Sequence, residues 1–226
     1  MWRIPVWRIP VGGVPVRRGL LAAAGVTTVL AAAAGWWYTD SAPYPYAQRR
    51  LLDLPLPFLT NRHLDALLGA RPGERVLEIG PGTGLQALHV AGQLGGDGRL
   101  DIVDVQDVML DCVMRRAAGR GIEGIVPANA DARELPFPDA TFDAAYLVTA
   151  LGEIPDPRLA VRELGRVLKP GGRLVVGEFF DRHYVPLVDL LRYGNAAGLQ
   201  LTARLGPPLA YFARLQPRQV CGTPVD

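Results

Sequence analysis

Polar and apolar residues change rhythm twice along the chain. Residues 19–38 carry no charge, residues 39–58 are rich in proline and tyrosine, and from residue 59 short apolar runs alternate with stretches of helical period. The run Arg75 to Ile79 is too short for a helix and reads as a buried parallel strand. The same criterion predicts strands over Leu100 to Val105, Gly124 to Pro127, Phe142 to Val148 and Arg173 to Phe179. Between them, three- and four-residue spacing predicts helices over Leu85 to Leu94, Val108 to Ala118, Leu159 to Leu168 and Tyr184 to Ala197. Leu199 to Leu205 and Leu209 to Leu215 are joined at Gly206-Pro207-Pro208 and read as a closing hairpin. Ahead of the first strand, Thr60 is placed to cap a helix that runs to Leu68, with Leu64, Leu67 and Leu68 inward and Gly69 at its end. Strand and helix in regular alternation specify an α/β fold on a mostly parallel sheet.

The first strand empties into Gly80-Pro81-Gly82-Thr83-Gly84. Three alternate glycines let the backbone turn tightly and approach a ligand with no Cβ in the way, and a helix N-terminus follows. A dinucleotide fingerprint would need a glycine where Leu85 stands, and a phosphate loop would need a nearby lysine that is absent.

The uncharged segment Gly19 to Tyr38 is preceded by Arg17-Arg18 and ends in Trp36-Trp37-Tyr38. As a helix it would span about 30 Å, the depth of a bilayer core, so residues 19–38 read as a membrane anchor between an N-terminal tail (1–18) and a linker (39–58). Its five strongly apolar residues contribute only about −2 kcal/mol to insertion. The tail repeats Trp-Arg-Ile-Pro-Val twice, a pattern that suits a lipid headgroup region or a disordered end. Arginines before the segment outnumber those after it, which by the positive-inside rule would export the large domain.

Net charge is +2, which gives no electrostatic case for a nucleic-acid partner. Cys112 and Cys221 lie far apart without metal-type spacing, so no metal is expected.

Two acids stand just beyond predicted strands: Asp104, followed by Val105, and Asp131, followed by Ala132. With Glu78 and the glycine turn they complete a pattern. From Arg75 to Glu178 the chain resembles the ubiquinone/menaquinone-biosynthesis type of class I S-adenosylmethionine-dependent methyltransferase. The resemblance rests on Glu-Ile-Gly-Pro-Gly-Thr-Gly, Val-Asp with Met-Leu downstream, Asp-Ala-x-x-Leu-Pro-Phe-Pro-Asp, Phe-Asp-Ala-Ala-Tyr and Arg-Val-Leu-Lys-Pro-Gly-Gly-Arg-Leu. It implies a Rossmann-like methyltransferase domain over 59–226, with helices on both faces of a seven-stranded sheet in the order 3-2-1-4-5-7-6. It also implies S-adenosylmethionine as cofactor, held by Glu78, Gly80, Pro81, Gly82, Thr83, Gly84, Asp104, Val105, Asp131 and Ala132. Asp104 would take the ribose diol and Asp131 the adenine amino group. Asp101 and Asp107 rival Asp104 by position.

Groups that could serve a methyl acceptor must come from the ends of strands four and five. Glu153 follows the fourth, and Asp181, His183 and Tyr184 follow the fifth; histidine is the residue type suited to accept a proton near neutral pH. Glu153, His183 and Tyr184 are the catalytic candidates. The expected acceptor is a small lipophilic molecule, quinone- or lipid-like, met by a membrane-associated enzyme whose catalytic domain faces the cytoplasm. A soluble small-molecule methyltransferase with a docked hydrophobic helix and a non-catalytic S-adenosylmethionine-binding protein are the alternatives.

Overall fold

The computed structural model describes residues 59–218. The predicted tail, hydrophobic helix and linker lie outside the described residues, as does Cys221. The elements are α1 (Asn61–Leu68), β1 (Arg75–Ile79), α2 (Leu85–Leu94), β2 (Arg99–Asp104), α3 (Asp107–Ala118), β3 (Ile125–Asn129) and β4 (Phe142–Val148). A single 3₁₀ turn, Leu151–Glu153, leads to α4 (Pro157–Val167), β5 (Leu168–Phe179), α5 (Leu187–Ala196), β6 (Leu199–Leu205) and β7 (Ala210–Pro217).

The seven strands form one sheet in the order β3-β2-β1-β4-β5-β7-β6. β1 to β5 pair in parallel, whereas β7 runs antiparallel to both β5 and β6. Alternate residues of the central strands feed two cores, as the period of two requires. Leu77, Ile79, Ala145, Leu147, Leu174 and Val176 pack under α4 and α5. Val76, Ala144, Tyr146 and Val175 pack under α1, α2 and α3. Helices therefore cover both faces, and the parallel strands all deliver their C-terminal ends to one edge.

Boundaries shift where caps, rather than the first apolar residue, start an element. α4 begins at Pro157 because the Asp156 side chain accepts from Arg158 N–H at 3.1 Å and proline suits the first turn. α5 starts at Leu187, not Tyr184, since Pro186 ends an extended segment there. β5 starts at Leu168, five residues before the predicted point, and β3 reaches Asn129, two residues further than expected. Thr60 occupies the cap position of α1 without capping it: its hydroxyl lies 3.3 Å from His63 Nδ1. Gly69 ends α1 in the left-handed conformation and donates to Asp65 O, as expected.

The opposite, N-terminal edge of the sheet is tied by charge. Arg173 donates to the carbonyls of Leu68 and Gly69 and to both oxygens of Glu74, at 3.1 and 2.6 Å, so one guanidinium satisfies the end of α1 and the entry to β1. Asp101 is buried between Arg75 and Arg99, at 2.9 and 2.5 Å, which removes it as a rival to Asp104. Replacing Arg173 with methionine strands the largely buried Glu74 carboxylate and the α1 carbonyls. It is expected to cost roughly 2–4 kcal/mol in urea unfolding, and a loss below about 0.5 would show that the edge does not depend on this group.

Candidate functional site

β1 ends against a turn that admits only glycine at two points. Gly80 has φ 65° and donates to Val103 O at 2.9 Å; a Cβ there would lie 2.7 Å from Ala150 Cβ. Gly84 has φ 86°, and a Cβ would press on Val113 at 3.1 Å. Its N–H closes the turn on Pro81 O at 2.8 Å, and its carbonyl accepts from Leu88 to start α2. Pro81 and Thr83 are buried beneath the turn, and Arg116 donates to Thr83 O at 2.8 Å, fixing the loop to α3. The result is a bare backbone concavity at the N-terminus of α2, pressed against the end of β4.

Register places the acids around it. Ile79 pairs with Val103, so Asp104 stands level with Gly80 on the next strand. Asp104 in turn pairs with Asn129, and Asp131 lies two residues beyond. Glu78, Asp104 and Asp131 thus cross the ends of three adjacent parallel strands in the order β1, β2, β3. Val105 is half exposed beside Asp104, and Ala132 is buried behind Asp131. Asp107 is the first residue of α3, where it complements the helix dipole.

The two inner carboxyls have altered acidity. Glu78, 2% exposed, accepts from Tyr146 Oη at 2.8 Å. Burial pushes its pKa up to about 8 against the lowering effect of the Tyr146 bond, and the Asp104 charge adds to the rise. Tyr146 is raised well above its usual value by the same burial and by Glu78. Burial also raises Asp104 to about 6, opposed by backbone N–H groups, one of them Gln106 N donating to Oδ1 at 2.9 Å. Asp131 is held low by Arg133, which bonds both of its oxygens.

On the other side of Ala150, the ends of β4 and β5 are joined: Thr149, left-handed at φ 53°, donates to Gly177 O at 2.8 Å. The 3₁₀ turn carrying Glu153 packs on the segment after β5, where a Cβ at Gly152 would overlap the His183 carbonyl. That brings Glu153 and His183 to one place. Tyr184 donates its hydroxyl to Pro208 O at 2.6 Å, so it braces this segment against the β6–β7 hairpin. Asp181 accepts from His183 N–H at 2.8 Å.

One group here was not anticipated. Glu178 is 1% exposed and shares an inward face with Leu174 and Val176; Oε2 accepts from Val185 N–H at 3.2 Å, while Oε1 is buried with no hydrogen-bond partner. Burial, against the lowering effect of the Val185 bond, and the nearby Asp181 and Glu153 charges push its pKa well above its ordinary value. Tyr211, opposite it in register, donates to Val185 O at 2.7 Å and fixes the same segment. An acid at the last inward position of an apolar strand was the available signal.

The described residues contain no group of side chains able to hold a metal ion. The groups present do fit S-adenosylmethionine. A glycine cradle that a Cβ would fill, a carboxylate level with it and a second carboxylate one strand further offer a surface for a methionine moiety, a ribose diol and an adenine amino group in sequence.

Comparison with known proteins agrees. Residues 77–176 match the model of a family described as a methyltransferase domain. The described domain is thus similar to the class I, S-adenosylmethionine-dependent methyltransferases. Its sequence is similar to proteins of the ubiquinone/menaquinone type. It is 43% identical over 114 residues to the ubiquinone/menaquinone biosynthesis C-methyltransferase UbiE of Teredinibacter turnerae, covering 50% of this chain and 46% of that one. UbiE of Vibrio campbellii is 38% identical over 144 residues, covering 63% and 54%. The chain spans about half the length of the curated relatives it matches. Among solved structures, a SAM-dependent methyltransferase from Aquifex aeolicus shares the fold, with a TM-score of 0.68, 20% identity and coverage of 76% and 97%. The [4+2]-cyclase SpnF superposes with a TM-score of 0.57 at 30% identity, covering 73% and 61%.

Proposed function

We propose that this protein transfers a methyl group from S-adenosylmethionine to a small lipophilic acceptor of quinone- or lipid-like character. The observation that carries the reading is the ordered set Glu78, Gly80, Asp104 and Asp131 across the C-terminal ends of three adjacent strands. The bound cofactor supplies an activated methyl group on a sulfonium, lost by in-line displacement.

The chain's own residues have three tasks. The turn Gly80-Pro81-Gly82-Thr83-Gly84 and Glu78 receive the methionine end. Asp104 accepts from the ribose hydroxyls with Val105 alongside, and Asp131 accepts from the adenine amino group with Ala132 behind it. Ala150 packs against Gly80 beside the gap between β4 and β5, and there the chain would have to exclude water and align donor with acceptor. If the acceptor must lose a proton, Glu153 and His183 are the groups placed to take it, on segments that Tyr184 and Glu178 hold in position.

Two observations support a lipophilic acceptor. The curated relatives are named for quinone biosynthesis. Phe180, 61% exposed, and Leu209 are backbone-bonded neighbours that present apolar surface beside Tyr184 at the acceptor side. Among the described residues no helix is long and apolar enough to cross a membrane, so association with a bilayer rests on residues 19–38, and a cytoplasmic face for the domain rests on its need for a cytosolic cofactor, against the arginine bias.

The test combines full-length protein, S-adenosylmethionine and a panel of quinols with short and long isoprenoid tails. Mass spectrometry is expected to find singly methylated product, with turnover favouring the longer tails. Deleting residues 1–40 should abolish sedimentation with membranes and reduce turnover on the long-tailed acceptors. A full-length chain that never sediments with membranes would remove the anchor from the reading. A second reading, cofactor binding without methyl transfer, is favoured by the likeness to a cyclase. Tight binding with no product across the panel would select it.

A further inference from the structure

The adenine end of the site carries a group that the proposed role of Asp131 leaves no room for. An ionised carboxylate offers about four lone-pair positions. In Asp131 one residue engages both oxygens: Arg133 N–H reaches Oδ1 at 2.8 Å, Nη2 reaches Oδ2 at 2.6 Å, and the single Nε–H is shared between them at 3.0 Å. An adenine amino group arriving at this carboxylate must compete with the guanidinium that lies across both of its oxygens.

The pair is also built to yield. Its side chains are 38% and 40% exposed, and exposed ion pairs contribute little, a bidentate one at the upper end of that range. Arg133 has a second anion within electrostatic reach, Asp156 at the start of α4. Asp156 lies beyond the end of β4, so a guanidinium turning toward it would leave the end of β3 open.

We propose that Arg133 is a latch on the adenine subsite: its guanidinium occupies the Asp131 carboxylate in the free protein and is displaced by the adenine amino group of the incoming cofactor. The inference rests on the reading of Asp131 as the adenine acceptor. The latch makes affinity a difference between two bonding arrangements of one carboxylate. It also keeps the half-exposed Asp131 carboxylate neutralised while the site is empty.

The experiment is calorimetric titration of S-adenosylhomocysteine, a stable probe, into four full-length proteins: wild type, Arg133→Met, Asp131→Ala and the double variant. With the latch, Arg133→Met binds the probe about two- to fivefold more tightly than wild type, the range an exposed pair can supply. Asp131→Ala binds more weakly, and adding Arg133→Met to it changes nothing further, because no carboxylate remains to compete for. Raising ionic strength narrows the gap between wild type and Arg133→Met. If Asp131→Ala weakens binding but Arg133→Met also weakens it, or leaves it unchanged, the latch is overturned while the adenine reading stands. If Asp131→Ala binds like wild type, the adenine reading itself fails and the latch with it. A tightening by Arg133→Met that persists in the double variant would assign the effect to something other than release of Asp131 and would overturn the proposal too.

Discussion

Asp104→Ala lowers the affinity for S-adenosylhomocysteine at least tenfold, and the wild-type affinity itself declines as pH falls below about 6. The first part follows from chemistry: an ionised carboxylate facing a diol accepts charge-assisted bonds worth roughly 1.5–3 kcal/mol each, and about 1.4 kcal/mol is already tenfold. The second follows from burial, which raises Asp104 to about 6. Ribose hydroxyls donate to the ionised form, so binding is fully supported well above pH 6. Below it, affinity is lost by up to about tenfold per pH unit as the acceptor is protonated. Titrations at pH 5, 6, 7 and 8 check both parts, with Asp104→Asn as the arm that should bind weakly and show no inflection near 6. A wild-type affinity that is flat across this range, or an alanine variant that binds normally, would take Asp104 out of the cofactor site. Glu178 and Glu153 lie on the acceptor side and leave this profile unchanged, which separates it from any pH effect on turnover.

Asp104 could be found from sequence because a functional acid at the end of a buried strand breaks an apolar run in a recognisable place. The same is true of β1 and β4, whose limits were legible to the residue, since a strand buried on both faces is an uninterrupted apolar run between polar ends. Limits were lost where a side chain decides them, Asp156 capping α4 and Pro186 delaying α5, and at Lys169-Pro170-Gly171-Gly172, which precedes the predicted strand but is assigned within β5. In the site, motif order announced Glu78, Asp104 and Asp131, yet not what they would bond to. Tyr146 sits 68 positions from Glu78 and meets it only because Glu78 and Tyr146 are register partners on β1 and β4. Glu178 went unremarked because its role depends on Val185 and Tyr211, which the β5–β7 pairing and the following segment bring over it. Of the catalytic candidates, the sequence could name Glu153 and His183 but not that Gly152 lets their segments touch.

The Glu78–Tyr146 pair carries the other large expected effect, on stability. Glu78 rises from 4.5 to about 8 in the folded chain, so the folded state holds its proton more tightly than the unfolded state does. A group raised in this way contributes its full stability below about pH 4.5 and loses it as pH climbs through about 8. The span corresponds to on the order of 4–5 kcal/mol, an upper bound for one buried carboxyl. Urea unfolding of the wild type should therefore show stability falling from pH 6 to pH 9. Glu78→Gln, which keeps an acceptor for Tyr146 and cannot ionise, should fall much less and overtake the wild type at pH 9. Glu178, raised in the same direction, contributes to the same slope, so Glu178→Gln is the parallel arm and the double variant should be the flattest. Equal slopes for wild type and Glu78→Gln would mean that Glu78 is already ionised at neutral pH. The site depends on the difference. A neutral Glu78 leaves Asp104 as the nearer charge for the ribose diol, whereas an ionised one would set two carboxylates against each other beside the glycine turn. Because Glu78 carries no charge near pH 6, Glu78→Gln should flatten the stability profile while leaving the inflection in cofactor affinity near pH 6 where it is.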